Sequence, residues 1–323
     1  MSARPAYVAS DPDLLAVAES VAADWERIGA GGHFLARNID TGEELGFDVE
    51  TPVPLASVIK VPIALTVLEA VATGTLDPAD QVTLEPGTSS LGPTGIGAFR
   101  HPATVAVGDL VHQMLTVSDN AAGDALLDLV GIEAVSRSLR AWDCPGIRIR
   151  HRLHRMYECA VHAAGDDFGL ALELALKDDR SGSQTIETLD TAHANVGTAA
   201  GLVDLLQRVW LDQVSEPSAT AELRRLMALQ VFTHRLSSDL RTDTLRVSGK
   251  TGTFLHLRHE IGVVEADSGD RVAIAALTRS SRRASTASDI DLAIGAAARS
   301  AFEALRGWSD PRVATARGRR AAR

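Results

Sequence analysis

The apolar segment LASVIKVPIAL, residues 55–65, has only two polar side chains, the hydroxyl of Ser57 and the ammonium of Lys60. They stand three residues apart, so on a helix both lie on one face and the amine can reach the hydroxyl. Burial disfavours the charged form of a lysine. A neutral lysine can take the proton of a serine and make it a nucleophile. S-x-x-K is a common pattern, and alone the pair is more typical of a capping serine and a lysine whose charge reaches solvent.

Two three-residue motifs follow further along the chain. The first begins a predicted helix in TVSDNAAGDALL, residues 116–127, and consists of Ser118, Asp119 and Asn120. The second ends a predicted strand in RVSGKTGTFL, residues 246–255, and consists of Lys250, Thr251 and Gly252. Ser, Asp and Asn all cap helices, so the first motif could be a simple cap. Gly-Lys-Thr also ends a Walker A phosphate loop, but that loop needs a glycine at position 244, which is Thr.

Together, S-x-x-K, S-D-N and K-T-G in this order resemble the three motifs of the penicillin-recognising serine hydrolases. Over about residues 14–306 the chain resembles a class A β-lactamase. The resemblance implies an α/β (α+β) fold with an antiparallel sheet built from N- and C-terminal strands, flanked by helices, and an inserted all-helical lobe. It also implies a serine hydrolase that forms an acyl-enzyme on Ser57 and uses neither a cofactor nor a metal.

The resemblance assigns catalytic roles to the first two motifs. Ser57 is expected to be the acylated nucleophile and Lys60 its proton acceptor. Ser118 is expected to relay a proton to the leaving atom of the substrate. Asn120 is expected to hydrogen-bond a substrate amide and to help position Lys60.

The resemblance places substrate binding on the strand that carries the third motif. Lys250 and Thr251 are expected to bind a carboxylate, and the backbone N–H groups of Ser57 and Thr253 to form an oxyanion hole. Gly252 is expected to let the substrate lie close to the strand. Arg258 is either a second carboxylate anchor or a solvated arginine at a strand end. The predicted partner is therefore a small molecule with a carboxylate and an amide or ester.

One part of the family pattern is missing. Class A β-lactamases activate the deacylating water with the glutamate of a Glu-x-x-x-Asn segment, and residues 147–195 contain no such segment. Glu158 has the best position for this base, although His162 stands where the Asn is expected. Three hypotheses therefore remain open. They are a hydrolase of β-lactams or related amides and esters, a cytoplasmic esterase of the same fold with weak or no β-lactamase activity, and a penicillin-binding module that is acylated once.

Composition narrows the classes of partner. The net charge of −10 argues against nucleic acid, and no run of 18 apolar residues suggests a membrane span. No signal peptide is visible, so we expect a cytoplasmic protein. The two cysteines and the nearby histidines have no spacing typical of a disulfide framework or a metal site; these residues are Cys144, Cys159, His151, His154 and His162.

The resemblance implies one catalytic domain over residues 1–308, and the basic composition of the C-terminus predicts a flexible tail over 309–323. The α/β lobe is predicted at 11–56 and 236–308 and the helical lobe at 57–235. Strands from both ends must pair, because neither group is large enough to be stable alone. The predicted helices lie at about 11–29, 57–73, 107–115, 119–129, 132–142, 168–177, 197–212, 218–230 and 286–306. The predicted strands lie within 31–50 and at 244–250, 259–266 and 271–278, with a long loop at 84–102.

The basic segment RIRHRLHR, residues 148–155, has two interpretations. It could line the cleft between the lobes, where a small-molecule site is expected, and attract an anionic substrate. It could instead form a solvated face.

Overall fold

A computed structural model describes residues 5–86, 92–281 and 287–307. The predicted tail at 309–323 lies outside these ranges, as do residues 87–91 of the predicted long loop and the first residue of the predicted last helix. None of the described helices is long and apolar enough to cross a membrane. The lobe boundaries given above stay a prediction.

Eleven strands are found in the described ranges. They are β1 (Tyr7–Ala9), β2 (Ala30–Asn38), β3 (Glu44–Phe47), β4 (Val53–Pro54), β5 (Gln81–Leu84), β6 (Ala103–Ala106), β7 (Ile147–Arg148), β8 (Val196–Gly197), β9 (Leu245–Phe254), β10 (Leu257–Ala266) and β11 (Arg271–Ser280). Six of them form an antiparallel sheet in the order β1-β3-β2-β11-β10-β9. N-terminal β2 pairs with C-terminal β11 over nine residue pairs, so the two ends of the chain share one sheet. This confirms the predicted fold class.

Ten α-helices surround the sheets in the described ranges. They are α1 (Pro12–Arg27), α2 (Lys60–Ala72), α3 (Val107–Thr116), α4 (Asn120–Val130), α5 (Ile132–Ala141), α6 (His154–Ala164), α7 (Phe168–Ser181), α8 (Ala199–Trp210), α9 (Pro217–Ala228) and α10 (Ser288–Leu305). Asp11 caps the N-terminus of α1, because its carboxylate accepts a hydrogen bond from Leu14 N–H at 2.8 Å. The three helices predicted between residues 107 and 142 are all present.

The six-stranded sheet separates two apolar cores. Alternate residues of β11 enter different cores, as the two-residue repeat of a strand requires: Ile274 packs with α1 and α10, whereas Ala275 packs with the helical middle of the chain. Helix α2 runs through the larger core, and all its residues from Lys60 to Leu68 are buried. The fold therefore carries Lys60 into the interior.

Three local predictions differ from the structure. The loop predicted at 84–102 is flanked by strands β5 and β6, which pair with each other and were not predicted. The Lys250-Thr251-Gly252 motif lies inside β9, which continues to Phe254. Residues 147–195 contain two helices where one was predicted. Helix α6 was missed because its N-terminus is fixed by a remote carboxylate: Asp124 accepts hydrogen bonds from Leu153 N–H at 2.6 Å and His154 N–H at 2.9 Å.

Candidate active site

Ser57 lies in a tight 3₁₀ turn, Ala56–Ile59, that leads directly into α2. The preceding residue, Ala56, has a left-handed φ of 47°, which side chains other than glycine seldom adopt. A Cβ at Gly252 would lie 2.8 Å from the Leu55 carbonyl oxygen and 3.0 Å from Val58 Cγ2. Gly252 therefore makes room for the turn that carries Ser57, a different reason from the close approach of a substrate that the sequence suggested.

Lys60 is fully buried and its amine faces four oxygen atoms. Nζ lies 2.6 Å from Asn120 Oδ1, 2.7 Å from the Ser118 carbonyl oxygen, 3.1 Å from Ser57 Oγ and 3.3 Å from Ser118 Oγ. Burial lowers the pKa of Lys60 to about 7, although the charges of Asp119 and Asp124 oppose that change. A neutral amine has two N–H groups and one lone pair. With both N–H groups donated to the two nearest oxygens, the lone pair is left for the hydroxyl of Ser57.

Ser118 lies between two buried lysines. Its Oγ is 2.9 Å from Lys250 Nζ and 3.3 Å from Lys60 Nζ, and its left-handed φ of 60° holds it in this place. Burial, and then the charge of Lys60, lower the pKa of Lys250. The Ser118 hydroxyl can therefore pass a proton from either amine to a leaving atom.

Asp119 and Asp124 support this arrangement from outside the cavity. Asp119 is buried, caps α4 through Ala121 N–H at 2.9 Å and accepts a hydrogen bond from Ile96 N–H at 2.6 Å. Asp124 caps α6, as described above. Both carboxylates compensate the charge of Lys60 while their oxygens accept backbone N–H groups.

Alternate backbone N–H groups of β9 point away from the sheet at its outer edge. Thr251 N–H donates to Gln230 Oε1 at 2.5 Å, so it points away from β10. Outward N–H groups recur at every second residue of an antiparallel strand, which gives Thr253 the same direction. Thr253 also lines the cavity. This placement suits the predicted oxyanion hole, whose role stays a prediction.

A cavity of about 270 Å³ lies between these elements. Its walls include the predicted site residues Ser57, Ser118, Asn120, Thr251, Thr253 and Arg258. Lys60, Lys250 and Gly252 lie behind those walls. Sequence reasoning missed the remaining wall residues, which are Pro93, Thr94, Tyr157, Phe232, His234 and Arg235.

Arg235 has the largest fully buried side chain among the residues that the structure describes. It donates to Thr253 Oγ1 at 2.7 Å and to the Gly252 carbonyl oxygen at 3.1 Å, and it pairs with Asp291 at 2.7 Å. All these partners are remote in sequence, so no local signal predicts the role of Arg235. Arg235 therefore places a hydrogen-bonded cation behind the end of β9 that borders the cavity.

Two comparisons of sequence decide the family. A model of the β-lactamase enzyme family matches residues 17–305. The chain is also 39% identical over 294 residues to the β-lactamase regulatory protein BlaB of Streptomyces cacaoi, covering 87% of this chain and 94% of that protein. The chain belongs to the β-lactamase enzyme family.

Two solved structures share the fold of this chain. A β-lactamase of Sphaerobacter thermophilus superimposes with a TM-score of 0.72 at 18% identity, covering 90% of this chain and 96% of that one. PBP-A superimposes with a TM-score of 0.71 at 17% identity, with the same coverage. The first sequence comparison and these folds confirm the resemblance to class A β-lactamases that the three motifs indicated.

Glu158 of this β-lactamase-family chain is not brought to the cavity. It is exposed on α6, and its carboxylate lies 3.4 Å from His154 Nε2 and 3.7 Å from Arg155 Nη1. Successive helix residues point about 100° apart, and Tyr157, its neighbour, is the α6 residue that lines the cavity. No acidic side chain from the described ranges lines this cavity. The structure therefore gives no support to Glu158 as a deacylation base.

The side chain at the start of α6 that approaches Lys60 is Leu153. It is fully buried. A Cβ at Gly123 would lie 2.5 Å from Leu153 Cδ1 and 3.5 Å from Lys60 Cε, so the two side chains flank the same point. An apolar side chain thus lies near Lys60 at the N-terminus of α6.

The basic side chains of the segment at 148–155 do not line the cavity. Arg152 lies 3.0 Å from Asp128, and Arg155 lies 2.7 Å from Glu187. None of its arginines lines the cavity, which favours the solvated-face interpretation. Within the described ranges, no group of three or more His, Cys, Asp or Glu could hold a metal ion.

Proposed function

We propose that this chain recognises β-lactams, forms an acyl-enzyme on Ser57 and releases the acyl group slowly. The arrangement of Lys60 carries the proposal. Its amine has a pKa of about 7, its two nearest neighbours are acceptors, and its third position faces the Ser57 hydroxyl. Such an amine can serve as a general base near neutral pH.

The proposed acylation uses groups that already contact one another. Ser57 Oγ attacks the lactam carbonyl carbon while its proton moves to Lys60 Nζ. The oxyanion forms opposite the backbone N–H groups of Ser57 and Thr253. When the C–N bond breaks, the leaving nitrogen takes a proton from Ser118, which Lys60 or Lys250 replaces. The substrate carboxylate lies against Thr251 and Lys250, with Arg258 as a further anchor.

The proposal of slow release rests on the wall that α6 presents to the acylated serine. Hydrolysis of the ester needs a group that activates a water molecule. In this chain Tyr157 of α6 lines the cavity, and Leu153, the residue before α6, lies near Lys60. The similarity to a β-lactamase regulatory protein also supports recognition of β-lactams with little turnover.

Time-resolved intact-mass spectrometry with benzylpenicillin tests the proposal. We expect a mass increase of one penicillin that persists after the free drug is removed, and no increase in Ser57→Ala. Rapid loss of the adduct would indicate an efficient β-lactamase. No adduct, together with hydrolysis of p-nitrophenyl acetate by the wild type but not by Ser57→Ala, would favour the esterase hypothesis.

The rate of acylation should depend on pH through Lys60. Only the neutral amine can accept the Ser57 proton, and its pKa is about 7. We therefore expect the rate to rise with pH, to reach half its maximum near pH 7, and to level off above. Adduct formation measured between pH 5 and 8 checks this. A rate that is flat over that range would contradict Lys60 as the proton acceptor.

A further inference from the structure

A buried carboxyl group lies behind the strand segment that carries Lys250 and Thr251. Glu260 on β10 is the register partner of Thr251 on β9, and it is fully buried. Its carboxylate accepts hydrogen bonds from Leu236 N–H at 2.7 Å and from Gln230 Nε2 at 2.8 Å. A buried charge is costly unless it is paired and hydrogen-bonded. Glu260 meets that condition through groups that adjoin the active site.

Gln230 connects this carboxylate to the edge of the sheet. Its Nε2 donates to Glu260, while its Oε1 accepts from Thr251 N–H at 2.5 Å. An ionised carboxylate can only accept hydrogen bonds. Glu260 therefore decides which end of the Gln230 amide faces inward and leaves the amide oxygen for Thr251. Without that charge the amide could turn over, and its NH₂ group would meet the Thr251 N–H, donor against donor.

Glu260 also supplies negative charge near two buried cations. Lys250 and Arg235 are both fully buried. Burial and the charge of Lys60 lower the pKa of Lys250, and Glu260 acts in the opposite direction. Burial raises the pKa of Glu260 to about 7, against the effects of its hydrogen bonds and of both cations. The carboxylate and the Lys250 ammonium thus favour each other's charged form.

We propose that Glu260, acting through Gln230, is a positioning residue that determines how well this site recognises a substrate carboxylate. The inference rests on the proposed function, since the recognised molecule is the β-lactam that acylates Ser57. Glu260 itself does not line the cavity. It orients Gln230, and Gln230 fixes the β9 segment from which Lys250 and Thr251 present a charge and a hydroxyl group.

A pair of substrates separates carboxylate recognition from general effects. The rate of Ser57 acylation is measured for benzylpenicillin and for its methyl ester, which lacks the free carboxylate. In Glu260→Gln we expect the rate with benzylpenicillin to fall by about tenfold or more, the scale of one charge-assisted hydrogen bond. The rate with the ester should change by less than about twofold. Equal slowing of both compounds, or of neither, would overturn the proposal.

Two further variants make this comparison robust. Asp270→Asn is the matched control, because Asp270 is also buried and accepts hydrogen bonds from Gly307 N–H at 2.8 Å and Ser268 Oγ at 2.7 Å, outside the active site. It should leave the ratio of the two rates unchanged. Gln230→Met removes the amide that connects Glu260 to Thr251 N–H. It should lower the ratio as Glu260→Gln does, and it replaces that variant if Glu260→Gln does not fold.

Hydrogen exchange without any β-lactam tests the link independently of acylation. We expect the Thr251 amide to exchange about tenfold faster in Glu260→Gln than in the wild type, and at the wild-type rate in Asp270→Asn. Unchanged exchange at Thr251 overturns the role of Glu260 whatever the chemistry at Ser57. If Ser57 forms no adduct with either compound, the proposed function is wrong, and the exchange result still decides the role of Glu260.

Discussion

Replacement of Lys60 by Met is expected to slow the acylation of Ser57 by about 10³-fold, within the range attributed to a positioned general base. The amine lies 3.1 Å from Ser57 Oγ and is held by Asn120 and the Ser118 carbonyl. Met fills a similar volume in the buried site but cannot accept a proton. The rate of adduct formation with benzylpenicillin, followed by intact mass, measures the effect.

A matched control comes from the composition of the chain. Only three of its 32 Lys and Arg residues are lysines, namely Lys60, Lys177 and Lys250. Lys177 is exposed on α7, so Lys177→Met changes the same residue type outside the cavity and should leave the rate unchanged. Thermal unfolding of both variants shows whether they are folded. If folded Lys60→Met is acylated at the wild-type rate, another group must accept the Ser57 proton.

This scarcity of lysine agrees with the chemistry proposed for the site. Arginine is in practice always protonated, whereas the pKa of a lysine shifts readily on burial. Two of the three lysines are fully buried and contact Ser118. The chain thus places lysine where an amine that can lose its proton is useful, and arginine almost everywhere else.

The sequence predicted the residues around Ser57 because each motif is local. Ser57 and Lys60 share one turn, Ser118 and Asn120 flank a helix cap, and Lys250 lies on a strand next to further strands. The order of the motifs then indicated the fold, and with it the pairing of the N- and C-terminal strands. Only the family resemblance predicted that the three motifs, which are separate in sequence, meet at one cavity.

The rest of the site depends on contacts between remote segments, which a single sequence does not encode locally. Arg235 is followed by Leu-Ser-Ser, and nothing nearby indicates that its guanidinium supports Gly252 and Thr253. Gln230 and Glu260 are thirty residues apart and meet only because α9 ends beside the sheet edge. The alternation of apolar and basic residues before α6 likewise hid a helix whose N-terminus depends on Asp124.

Glu158 illustrates the same limit within one helix. Glu158 has the residue type that activates water, and within the sequence it has the best position for that role. The structure shows that the direction of the side chain decides whether it can reach the cavity. Tyr157 of α6 lines the cavity, Leu153 just before α6 lies near Lys60, and Glu158 is exposed. In this chain the residue near Lys60 is apolar and the glutamate is exposed. A substitution can place a glutamate near Lys60.

Replacement of Leu153 by Glu is expected to shorten the lifetime of the acyl-enzyme by about 10²-fold, at the lower end of general-base effects. Leu153 is fully buried and flanks the same point beside Gly123 as Lys60 Cε. We expect a glutamate there to extend its carboxylate toward the Lys60 amine, whose positive charge would offset the cost of burying it. A water molecule between that carboxylate and the ester on Ser57 can then lose a proton as it attacks.

The measurement is the decay of the benzylpenicillin adduct after the free drug is removed. Leu153→Gln is the matched control, because it has the size of Glu but cannot accept a proton, and its adduct should persist as in the wild type. Glu158→Gln should also leave the lifetime unchanged, since that carboxylate lies outside the cavity. Equal lifetimes in Leu153→Glu and Leu153→Gln would contradict the idea that a base at this position limits release. Faster decay only in Leu153→Glu would mean that acylation and release depend on separate groups, Lys60 for the first and the residue at position 153 for the second.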